Sequence, residues 1–168
     1  MRILGIDPGY ATIGYGIVDF DNSKFKTVNY GAIITKPDLP FAKRLEVIYR
    51  DVSQLINDFH PNAISIEKLF FNTNTTTAID VAQARGVILL AAQMNSVEIY
   101  EYTPLQVKSA VTGFGRAEKH QVMEMTKALL SLKKVPKPDD TADALALAIC
   151  HAYTGTGNYS KLMKGEFK

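Results

Sequence analysis

The sequence predicts a mixed α/β sheet in which three antiparallel strands come first and two more follow through parallel crossovers, with helices on both faces. Three observations carry this reading. Short apolar runs joined by tight turns occupy Arg2 to Thr35, helical and strand-like patterns alternate from Phe41 to Tyr100, and no linker or repeat divides the chain. Antiparallel neighbours need only a hairpin, whereas parallel ones need a crossover, usually a helix lying on the sheet.

The first strand is the apolar run Ile3, Leu4, Ile6, which stops on Asp7. Pro8 and Gly9 force a turn, since proline fixes φ and glycine tolerates positive φ. Gly14 to Phe20 is the return strand, Asp21-Asn22-Ser23 a hairpin turn and Phe25 to Thr35 the third strand. Apolar residues at Phe41, Leu45, Ile48, Val52, Leu55, Ile56 and Phe59 have helical spacing, with charges between them. Pro61 ends that helix. Ala63 to Glu67 alternates as a short strand and, like the first, finishes on an acid. Thr77 to Met94 is a helix apolar nearly all round, which calls for cover on both sides. In a domain this small, another copy of the chain can supply the second cover. Val97 to Tyr100 is a strand, and Thr103-Pro104 caps and opens a helix through Val111. Helices over Ala117 to Leu132 and Asp139 to about Tyr153 complete residues 1–153 as a single domain. The glycine- and lysine-bearing tail, 154–168, is expected to be mobile.

Composition places the 168-residue chain among globular proteins, with 46% hydrophobic and 21% charged residues. No apolar stretch reaches the roughly 18 residues that cross a bilayer, and the amino terminus lacks the pattern of a signal peptide. A cytoplasmic location without membrane attachment is expected. The single cysteine, Cys150, excludes a disulfide within one chain and falls in an apolar helical pattern. Charge is segregated. Between Lys108 and Lys137 seven Lys and Arg face two Glu, an excess of +5 in a chain whose net charge is +2. Such a stretch suits a polyanion, though a solvated helix face has the same composition.

Four acids bear on chemistry. Asp7 and Glu67 each end a strand and emerge side by side if those strands are parallel neighbours; ligand sites of open α/β sheets form at that edge. In Asp139-Asp140-Thr141-Ala142-Asp143, residues 140 and 143 share a helix face, and 139 with 143 is also possible. Capping accounts for one of the first two acids. It does not account for Asp143, which lies inside an Ala-Leu-Ala-Leu-Ala-Ile helix and must face a polar cavity, a base or a cation. Four gathered carboxylates repel and raise one another's pKa, and an oxygen-loving divalent ion such as Mg²⁺ or Mn²⁺ relieves this. Two such ions about 4 Å apart activate water and stabilise a leaving oxygen of a phosphodiester. His60, His120 and His151 form no ligand-spaced set. Phe70 and Phe71, adjacent in a loop, either tuck under the sheet or present an aromatic face to a base.

These residues resemble a known family. Gly5-Ile6-Asp7-Pro8-Gly9 with Gly14-Tyr15-Gly16, Ile66-Glu67 with Phe70, Gln83-Ala84-Arg85-Gly86, Gln106-Val107-Lys108, Ala117-Glu118-Lys119 and the run Asp140 to Ala146 are together similar to RuvC, the bacterial Holliday-junction resolvases. The motifs occur in order over about nine-tenths of the chain. The resemblance implies a ribonuclease-H-like fold, a homodimer and Mg²⁺-dependent nicking of two like-polarity strands of a four-way DNA junction, leaving 5′-phosphate and 3′-hydroxyl ends. It implies Asp7, Glu67, Asp140 and Asp143 as catalytic, metal-holding acids, and so selects Asp140 over Asp139. It places Phe70 where the family stacks on a base, and Lys108 and Lys119 at phosphate contacts near the cut, Lys119 also in the catalytic set. Arg116, in the same basic stretch, is a further DNA-contact candidate. Two Mg²⁺ per site, with Mn²⁺ as substitute, and a branch-migration motor, the RuvA–RuvB complex, complete what the resemblance implies, and the all-round apolar helix 77–94 is the candidate dimer contact.

Three other readings compete. A nuclease of the same fold cuts other branched DNA or RNA–DNA hybrids. A junction-binding module without catalysis is indifferent to Mg²⁺. An actin- or sugar-kinase-like ATPase also opens on a strand, an aspartate and glycines, but needs a longer chain and leaves Asp140, Asp143 and the basic stretch unexplained.

Overall fold

The computed structural model describes residues 1–68 and 75–155, with the backbone alone at 75 and 76. Its elements are β1 (Arg2–Asp7), β2 (Thr12–Asp21), β3 (Lys24–Ile34), α1 (Phe41–Phe59), β4 (Ala63–Glu67), α2 (Thr75–Met94), β5 (Glu98–Tyr102), α3 (Pro104–Thr112), α4 (Lys119–Leu129) and α5 (Asp139–Thr154). The sheet runs β3-β2-β1-β4-β5. β1 is antiparallel to β2 and β2 to β3, while β4 lies parallel to both β1 and β5. The mixed sheet expected from the turn and crossover pattern is thus present, with β1 at its centre.

Local chemistry accounts for the element ends. Asn22 and Ser23 both have positive φ, 47° and 61°, as a tight two-residue hairpin turn requires. α1 closes on His60 in the left-handed conformation, immediately before Pro61. Thr103 caps α3 through a reciprocal pair: its hydroxyl accepts from the Gln106 N–H at 3.2 Å, and the Gln106 side chain accepts from the Thr103 N–H at 2.8 Å. α4 is shorter than the pattern 117–132 predicted, because Glu118 and Gln121 form a similar cap at its start and Leu130 ends it. β5 runs two residues further than expected, to Tyr102, since parallel pairing with β4 continues as far as Glu67.

Strand alternation sorts the core into two layers. Leu4, Ile6, Ile13, Ile17, Ile64 and Ile66 face α1 and α2, while Ile3 and Val18 face α5 with α3 and α4. Each fully buried Ile or Leu contributes roughly 1.5–3 kcal/mol. The α5 side is unusual in that three of its sheet positions are glycines. A Cβ on Gly5 would lie 1.9 Å from the Ala144 carbonyl oxygen, and one on Gly14 would lie 1.9 Å from that of Asp140. Only a bare backbone fits there, so α5 rests directly on β1 and β2. Ser65 on β4 secures the same helix, its hydroxyl donating to the Leu147 carbonyl at 2.7 Å.

α2 buries Ala84, Ile88, Ala91 and Ala92 against α1 and the sheet, and leaves Ile79, Leu90 and Met94 exposed. Within one chain the helix is therefore covered on one side. Among the described residues no helix is long and apolar enough to cross a membrane. The tail from 156 onward lies outside the described residues, as do Phe70 and Phe71.

Candidate active site

Asp7 and Glu67 are adjacent because of register. Ile6 pairs with Ile66 across the parallel β1–β4 ladder, so the residue that ends each strand comes one step later on the same face. That face is the one on which α5 lies. The glycine seat beneath α5 puts its first turn over Gly14, which is the antiparallel partner of Asp7. Thr141 fixes this turn laterally, its buried hydroxyl donating to the Gly31 carbonyl of β3 at 3.0 Å. Asp140 and Asp143 thereby reach the strand ends.

A cavity of about 290 Å³ opens there, lined by Asp7, Glu67, Asp143, Lys108 and Lys119, with Pro104, Val107, Val122 and Leu147 among its walls. Desolvation and the charges of Asp143, Glu67 and Asp140 push the Asp7 carboxyl up to about 8, against a partial offset from Lys119. Desolvation and Asp143 raise Glu67 as well. Asp140 therefore belongs to the cluster electrostatically. Asp139 pairs with Lys137 at 2.6 Å, which holds its carboxyl below the usual range, and also lies 3.7 Å from Lys119. Asp139 is not one of the charges acting on Asp7.

The four acids do not yet form a closed metal cage. Among the described residues, no group of three or more His, Cys, Asp or Glu is drawn in to hold an ion. Lys119 brings a positive charge to the cluster, its Nζ 3.0 Å from Asp143 and 3.7 Å from Asp139. Desolvation works against that charge, but the bond to Asp143 prevails and the ammonium is held above its ordinary value. The pair is not sealed: the Lys119 side chain is 56% exposed and that of Asp143 34%. Lys119 sits at the first turn of α4, beside the cavity opening.

The donor set is all carboxylate oxygen, which suits a hard divalent ion, and the upward pull on Asp7 shows charge that such an ion would compensate. Arg116 lies exposed between α3 and α4, outside the cavity lining. None of His60, His120 or His151 lines the cavity. His151 is buried with Nδ1 2.7 Å from the Tyr102 hydroxyl, and burial lowers its pKa to about 4. His120 is exposed beside Glu118 at 3.3 Å. Cys150 is buried, its thiol pushed up to about 12. Residue-by-residue reading missed the glycine seat that carries Asp140. Its signal was present in Gly14-Tyr15-Gly16, since glycines on alternate strand positions mark close backbone approach.

A central strand and its parallel neighbour ending on carboxylates, faced by the acidic start of the last helix, define a nuclease of the ribonuclease-H-like class. Comparison with known proteins narrows the class. The family model described as crossover junction endodeoxyribonuclease RuvC matches residues 3–151. A relative of that name from Alkaliphilus metalliredigens is 59% identical over 155 residues, covering 92% of this chain and 94% of the relative. The solved structure of Thermus thermophilus RuvC is similar with a TM-score of 0.86 at 34% identity, covering 97% of both chains. T. thermophilus RuvC in complex with Holliday junction substrate gives 0.84 at 33% identity, covering 92% of this chain and 95% of that one. The chain belongs to the RuvC family of crossover junction endodeoxyribonucleases.

Proposed function

We propose that this protein resolves four-way DNA junctions by nicking two strands of like polarity with Mg²⁺ at the acid cluster, leaving 5′-phosphate and 3′-hydroxyl ends. The observation that carries the reading is the convergence of Asp7, Glu67 and Asp143 on one cavity whose other charged lining residues are Lys108 and Lys119. Metal-holding acids and phosphate-binding cations meet at one opening, as hydrolysis of a phosphodiester requires.

When bound, Mg²⁺ supplies an activated water and charge neutralisation for the departing oxygen. Asp7, Glu67, Asp140 and Asp143 would hold it through their carboxylate oxygens. The rest is done by cations and shape. Lys108 and Lys119 would orient the phosphate at the cavity mouth, where both line the opening beside the acids. Val107, Val122 and Leu147 wall the site against bulk water, which strengthens every charge interaction inside it. Arg116 extends the basic surface, and Phe70 stacks on a base at the crossover.

A two-fold symmetric junction requires two cuts, hence two sites related by the same symmetry. The exposed stripe of α2 supports a homodimer. Ile79, Gly86, Leu90 and Met94 recur at helical spacing on one exposed side, and a Cβ on Gly86 would meet nothing within 4 Å. A second helix can approach closely there. The protein acts in the cytoplasm, where the RuvA–RuvB branch-migration complex is its partner. Incubation with a synthetic four-way junction, a fork and linear duplex, with and without Mg²⁺, tests the reading. Symmetric nicks in the junction alone, with Mg²⁺ alone, are expected. Equal cutting of the fork would widen the substrate class, and Mg²⁺-independent binding with no nick would leave a binding module.

A further inference from the structure

Arg85 stands outside the chemistry described so far, yet its side chain is only 13% exposed. It projects from α2 toward the ends of two strands. Its Nη2 pairs with the Glu101 carboxylate of β5, and its Nε donates to the main-chain carbonyl of Glu67 at 3.4 Å. Glu101 is the register partner of Ile66, the residue before Glu67. One planar, rigid fork therefore spans the ends of β4 and β5 at the level of the acid cluster.

The guanidinium works from the face opposite the cavity. Ile99 packs into the α1/α2 layer, and Glu101, two residues on, shares that face. The Glu67 side chain leaves toward α5, because successive strand residues alternate. Arg85 thus grips the backbone behind Glu67 without touching its carboxylate. The charges that act on that carboxyl are Asp143 and Lys119, and Arg85 is not one of them. On the β5 side, the Lys68 N–H donates to the Tyr102 carbonyl at 2.8 Å. The Arg85 bond adds a second restraint at the point where β4 ends.

We propose that Arg85 is a positioning residue for the reaction: with Glu101 as its counter-ion, it holds the end of β4 so that Glu67 presents its carboxylate to the divalent ion. The proposal rests on the metal-nuclease reading above. Groups that orient a metal ligand from behind it are worth roughly 10–100-fold in metal affinity or activity.

The test uses the full chain with Mn²⁺ as probe, reading ion binding from the loss of the free-ion EPR signal without DNA. Cleavage of a synthetic four-way junction is followed alongside. Arg85→Gln should weaken Mn²⁺ binding by roughly tenfold and lower kcat by a similar factor, with KM for the junction unchanged. Arg85→Lys, which keeps the charge and loses the fork, should fall between the two. Glu101→Ala should reproduce the loss of ion affinity and serves as the deciding variant if Arg85→Gln does not fold. Unaltered Mn²⁺ binding in the folded variant, with only a lower melting temperature, would reduce Arg85 to a structural brace and overturn the proposal. A raised KM at constant kcat would overturn it too, by making Arg85 a DNA contact. Absence of Mn²⁺ binding by the unsubstituted protein would instead sink the metal-site reading.

Discussion

Replacing Asp7 by asparagine removes one charge from the centre of the acid cluster and keeps the side chain's size. In the metal-free protein Asp7 is pushed from an ordinary 3.8 to about 8 by desolvation and by Asp143, Glu67 and Asp140. The native state therefore keeps a proton that the unfolded chain releases between about pH 4 and 8. The sign follows: unfolding becomes easier as pH rises through that window, and the full cost is reached above the native pKa. At about 1.4 kcal/mol per unit the cost is at most ~6 kcal/mol. Asparagine removes the charge but stays a buried polar group that must be satisfied, so a gain on the order of 2 kcal/mol is expected for Asp7→Asn near pH 8. For a chain of this size that is about 4–8 °C in melting temperature. Melting curves without metal, at pH 5 and pH 8, measure it. The variant should melt higher than the parent at pH 8, with the difference shrinking toward pH 5. Mg²⁺ should raise the melting temperature of the parent and leave the variant nearly unmoved, and junction cleavage should be lost while junction binding persists. A pH-independent difference, or a variant less stable at pH 8, would refute the electrostatic account of the site.

Gly14→Ala introduces a Cβ 1.9 Å from the Asp140 carbonyl, so α5 must lift from the sheet; about 1–3 kcal/mol of stability should be lost, with cleavage lost beyond what unfolding explains. Thermal melting beside a nicking assay at low temperature separates the two effects. Lys119→Ala should weaken junction binding and flatten its log-affinity against log-salt slope by roughly one or less; an unchanged slope would remove Lys119 from the phosphate contacts. Leu90→Glu, on the exposed side of α2, should give monomers by light scattering while the melting temperature of the fold is nearly kept. A persistent dimer would move the interface elsewhere.

The order of strands and helices was legible because each element carries its own local signal. β1 and β4 are apolar runs stopped by an acid, α1 has clean helical spacing, and Thr103-Pro104 caps α3 as its residue types demand. One crossover through α1 permitted β1 and β4 to be parallel neighbours, and their observed pairing sets Asp7 beside Glu67. The resemblance, not helix spacing, selected Asp140 over Asp139.

Contacts between residues distant in sequence lay beyond local pattern. That Gly14 is a seat for the Asp140 carbonyl depends on how closely α5 lies on β2. The bond between Lys119 and Asp143 depends on α4 crossing the start of α5. The grip of Arg85 on the Glu67 backbone needs α2 to reach past the end of β4. Periodicity and capping act over a few residues and are written into the chain. Helix-to-sheet distance and ion-pair choice arise only when layers close on one another, so tertiary packing alone decided how the acids are spaced, neutralised and braced.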